Sequence, residues 1–166
     1  MHINFIAVLI AALIPMLIGF IWYNPKVFGK AWMAASGITE EQMKSGNMAV
    51  IFGVSFLFSL LLAVQTNFLV IHQFHYFSIL MNEPGLDDAN SEMGRMAADF
   101  MAKYGHNFRT FKHGAFHGAI AGIFFALPVM GISSLFERRS FKYIFIHTGY
   151  WVVTLALMGG VICGMV

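Results

Sequence analysis

The chain has 166 residues, of which 58% are hydrophobic and 11% charged, with a formal net charge of +2. That balance excludes an ordinary soluble domain, where about 45–50% apolar and about 25% charged residues are usual. The small positive excess gives no electrostatic reason to expect nucleic acid as a partner, and a single cysteine, Cys163, excludes an internal disulfide.

Four blocks hold no charged side chain: Ile3 to Tyr23, Met48 to Ile71, Gly114 to Phe136 and Tyr143 to Val166. Each exceeds the roughly 20 residues that cross about 30 Å of hydrocarbon. The pattern predicts an all-α, polytopic membrane protein built as one integral membrane domain over residues 1–166. Its four transmembrane helices are predicted near 3–23, 48–75, 112–136 and 141–165.

The first block has no basic region before it and no small-residue cleavage site after it, so it is read as a retained helix and not a signal peptide. Pro15 inside it predicts a bend. Then comes "WYNPKVFGKAWMAASGITEEQMK". Trp22, Tyr23, Phe28 and Trp32 read as interfacial anchors, the last two on a short interfacial helix whose lysines Lys26 and Lys30 reach the headgroups. Gly37 ends that helix. Thr39 with Gln42 forms a capping box for another, which could run into the second span.

The second span carries Gln65, Thr66 and Asn67, polar residues suited to bonds between helices. After the turn "NEPGLDD", residues 91–104 give an amphipathic helix too short and charged to span. Met93, Met96, Phe100, Met101 and Tyr104 fall on one face and make an adaptable contact surface for the membrane, the bundle or a partner. Ser91 caps its start and Gly105 its end.

In the third block, Gly114, Gly118, Gly122 and Ala126 form a ridge of small residues at four-residue spacing. Gly160 and Gly164 repeat that spacing in the fourth. Such ridges let helix backbones approach closely, and the partner is either the fourth helix or another copy. Beside the ridge, His113 and His117 stand one turn apart. With His72, His75 and His106 they put five of the seven histidines on one side of the membrane. The favoured reading makes them structural, hydrogen-bonding at the mouth of the bundle. A metal is the alternative, because an i, i+4 pair can aim two imidazoles at one ion.

No carboxylate lies inside the apolar blocks, and no nucleophile motif or strict metal signature appears. No catalytic residue and no cofactor are therefore predicted. The leading function class is a non-enzymatic structural or accessory subunit, or a homo-oligomer, acting through helix packing within the lipid bilayer or a larger membrane complex. The second class is a small transporter or channel that uses the histidine cluster for metal or protons. Lysine and arginine number six in the first and third loops against four in the long connection. This places loops 24–47 and 137–142 in the cytoplasm, and 76–111 with both termini outside a cell (inner) membrane.

Taken together, "WYNPKVFGKAW" (22–32), Leu127-Pro128, "LFERR" (135–139), "GYW" (149–151) and Met158-Gly159 resemble the domain of unknown function 1761 family, small bacterial membrane proteins. The resemblance implies a four-helix integral membrane protein and no particular activity. The connection with the amphipathic helix is longer than the resemblance implies, and His147 stands where it implies asparagine.

Overall fold

The computed structural model describes residues 3–165, which form helices and no strand. Four segments are long and apolar enough to span a membrane: Phe5–Trp22, Met48–Val70, Phe111–Phe136 and Phe141–Gly164. The first is α1. Two short helices, α2 (Gly29–Ser36) and α3 (Glu40–Ser45), precede the second span, α4. After it come α5 (Gln73–Leu80) and the amphipathic α6 (Glu92–Tyr104). The third span divides into α7 (Phe111–Ala121), a π-helical turn (Gly122–Ala126) and α8 (Leu127–Phe136), and the fourth is α9.

Local chemistry explains most boundaries. Asn4, Asn47, Thr110 and Ser140 each accept a backbone N–H at the start of a span. Thr39 and Gln42 bond reciprocally across the first turn of α3. That helix stops at Ser45 and does not run into α4, because Gly46 turns extended and Asn47 begins a new cap. Gly37, at φ 76°, ends α2 in the left-handed region that glycine enters without steric cost.

The π turn has a cause in Pro128. Proline lacks the N–H that would bond one turn back, and its ring crowds that carbonyl. The helix widens just before it, and Leu127 N–H reaches Gly122 O. No comparable signal marks the end of α4. That helix was expected to reach residue 75, but Ile71 takes an extended conformation at φ −107°, ψ 97°, and neither glycine nor proline stands there.

α9 is the central helix, packed against α1, α2, α4, α7, the π turn and α8. The buried face of α1 is small: Ala7, Ala11, Ala12 and Pro15 with Val8. That of α4 is small or polar: Ser59, Ala63, Thr66, Asn67 and Val70. Phe20, Phe52, Phe58, Leu61, Phe124 and Phe125 point outward. Large exposed apolar side chains around a small-residue interior are the arrangement that lipid, not water, permits. Asn4 Nδ2 donates to Met165 O at 2.8 Å, so both ends of the chain meet at one end of the bundle. The C-terminus of α4 and the N-terminus of α7 lie at this same end.

Candidate metal centre

Thr110 starts α7 so that its glycines and its histidines occupy adjacent ridges. The glycines face α9. A Cβ at Gly114 would collide with the Gly159 carbonyl oxygen, one at Gly118 with that of Leu155, and one at Gly122 with Val152 Cα. Gly160 and Gly164 accommodate Phe111 in the same way, and Ala126 packs beside the core. The partner of the ridge is therefore α9 of the same chain. Any association between copies must use another surface.

With the glycines committed to α9, His113 and His117 turn toward the end of α4. The extended residue Ile71 there swings His72 across to meet them. His72 Nε2 and His113 Nε2 are 2.7 Å apart. Ring centroids are separated by 4.9 Å for His72 and His113, 4.9 Å for His72 and His117, and 4.5 Å for His113 and His117. One ring nitrogen from each lies within 4.8 Å of the other two. His113 and His117 are half-buried and His72 is exposed.

Three imidazoles at tetrahedral angles around an ion about 2.0–2.1 Å from each nitrogen would stand about 3.3 Å apart. The 2.7 Å pair lies below that value and the whole set lies within 4.8 Å, so side-chain adjustment would bring all three nitrogens onto one ion. His72 is exposed overall but loses part of its hydration against its neighbours; that desolvation, and then His113 and His75, hold its pKa below the usual histidine range. The neutral form, the one that ligates, prevails near neutrality. The cluster contains no carboxylate or thiol among the described residues. An all-imidazole set suits zinc, copper or nickel, and three ligands leave one position open.

Of the five histidines singled out in the sequence, the structure thus joins three. His75, on α5, and His106, in the loop before α7, are exposed and stand apart from the cluster. Phe108 was not foreseen. At φ 62° its backbone is left-handed, and its ring lies 5.1 Å from that of His113. No local pattern in the sequence signals this.

The sequence profile of one family matches residues 6–163. The chain belongs to the family described as Protein of unknown function (DUF1761). No curated protein and no solved structure matches it. One of the stretches that carry the resemblance, residues 22–32, lies at the opposite end of this DUF1761 protein from the histidine triad. Its aromatic residues make specific contacts within the bundle. Phe28 is partly exposed, but Trp22 Nε1 donates to Ile146 O at 3.1 Å, and Tyr23 and Trp32 turn in toward α9. The tight turn after α1 produces this: the Gly29 backbone presses on that of Tyr23 and Asn24 so closely that a Cβ has no room.

Trp32 Nε1 lies 3.1 Å from His147 Nε2, and Tyr23 Oη lies 2.9 Å from His147 Nδ1. An indole nitrogen can only donate, so Nε2 accepts and Nδ1 carries the hydrogen toward Tyr23. Both ring nitrogens are occupied, so His147 is a structural clamp on α2 and is not free to ligate.

The amphipathic helix places its apolar face only partly inside. Gly94 and Ala97 are buried, Phe100 stacks on Tyr76 of α5, Met93 and Met101 are half-buried, and Met96 and Tyr104 remain exposed.

Proposed function

We propose that this DUF1761 protein is an integral membrane protein that binds a divalent transition metal through His72, His113 and His117. The observation that carries the reading is the convergence of three ring nitrogens within 4.8 Å of one another, with His72, in the turn after α4, 41 positions before His113 on α7. The second function class considered for the sequence gains from this. The first, action through helix packing between chains, loses its main surface, because the glycine ridge faces α9. Binding is favoured over conduction. No acidic residue lies in the four spans, and the close contact of α7 with α9 gives no water path between them.

The test is metal content. Protein purified without a histidine tag and equilibrated with zinc should hold one equivalent by elemental analysis. His113→Ala with His117→Ala should hold none, and His75→Ala with His106→Ala should still hold one. Metal-free wild-type protein, or a double variant that retains its zinc, would overturn the reading.

A further inference from the structure

An open-sided cavity of about 350 Å³ lies between α5 and α6, with His72 and Phe108 in its wall. His72 belongs to the triad and Phe108 lies beside it, their ring centroids 6.3 Å apart. The rest of the wall is largely aromatic. Tyr76 and Phe100 stack with centroids 3.9 Å apart and planes at 13°, and Tyr104 approaches Phe100 at 5.2 Å. Gln73 Nε2 donates to the Tyr104 and Asn107 carbonyls at 3.3 and 3.0 Å, which ties α5 to the end of α6 and shapes the chamber.

The volume falls in the range of small-molecule sites, about 300–1,000 Å³. Stacked rings favour a flat apolar body, since offset stacking against a π face adds to simple burial. A polar end on such a body gains from a partner on the side where it meets His72. A metal on three imidazoles offers that partner in its fourth position.

We propose that this cavity is the ligand chamber of the triad: a small molecule with a flat, apolar body stacks among Tyr76, Phe100, Tyr104 and Phe108 and presents one nitrogen or oxygen donor to the open position of the metal. The proposal rests on the metal-binding reading above. It gives one role to His72 as both a member of the triad and part of the cavity wall.

The probe is cobalt(II), whose visible absorption reports a change of ligand. Cobalt-loaded protein in nanodiscs of phosphatidylethanolamine and phosphatidylglycerol is titrated with imidazole and with phenylimidazole. The two share a donor and differ by one ring. Phenylimidazole should bind about tenfold more tightly, equivalent to about 1.4 kcal/mol. Phe100→Ala removes the stacking wall but touches no histidine of the triad, so it should keep its cobalt spectrum and lose most of that preference. Equal affinities in the wild type, or a preference that survives Phe100→Ala, would overturn the chamber while leaving the metal site standing. A preference present in detergent and absent in nanodiscs would also overturn it, because lipid would then be the occupant. Failure to bind cobalt at all would overturn both readings.

Discussion

His72 Nε2 and His113 Nε2 stand 2.7 Å apart across the gap between α4 and α7. At that distance one nitrogen donates and the other accepts, so a single hydrogen bridges them. In the proposed site a metal would take the place of that hydrogen. His72→Ala should therefore weaken zinc binding by more than about 100-fold, above the about 10–100-fold typical of residues that only support a ligand. His75→Ala, one turn along α5, should leave the affinity unchanged. Calorimetric zinc titration of the two variants makes the comparison.

The same cluster predicts a pH dependence. Desolvation and the charges of His113 and His75 lower the His72 pKa from its ordinary 6.5. The unfolded chain therefore takes up the proton first as pH falls. Stability from neutral His72 is complete above about 6.5 and is lost as pH drops through the folded value below it. Zinc affinity should follow the same course, level near pH 7.5 and falling below about pH 6.5. Melting and zinc titration at about pH 7.5 and about pH 5.5 test it. His72→Ala should flatten the melting difference.

Gly118→Ala should destabilise the bundle by about 1–3 kcal/mol, as overpacking does. The new methyl meets the Leu155 carbonyl oxygen, and backbone cannot move aside as a flexible side chain can. Gly53→Ala is the control. Nothing lies within 4 Å of its Cβ, so it should be neutral or slightly stabilising. Thermal melting in detergent distinguishes them.

Trp32→Phe keeps a ring against α9 and removes the only donor to His147 Nε2 among the described residues. The loss should be about 1 kcal/mol, the ordinary net value of one hydrogen bond. Nitrogen chemical shifts of His147 should report a hydrogen on Nδ1 in the wild type and a mixture of tautomers in the variant.

Orientation is open to direct labelling. Cys163 is 1% exposed, so an impermeant thiol reagent should read only introduced cysteines. Ser140→Cys should be protected in intact cells and Asp87→Cys should react. The reverse would move the histidine triad to the cytoplasmic side.

The sequence by itself determined the four spans, because crossing hydrocarbon demands a length of uncharged residues that can be counted. It also determined the capping boundaries at Thr39 and Ser91, because a cap acts within one turn. The spacing of Gly114, Gly118 and Gly122 announced a close helix contact, and that of His113 with His117 a shared face. Only the tertiary structure decided that the glycines meet α9 of the same chain, and that this turns the histidines toward α4. It alone broke α4 at Ile71, where no glycine or proline gives warning, and so brought in His72 while leaving His75 and His106 outside. It also drew Tyr23 and Trp32 onto His147. Caps and apolar runs are local free-energy terms. A site assembled from the ends of two helices depends on which faces the remaining helices have already covered, and no stretch of one chain segment records that.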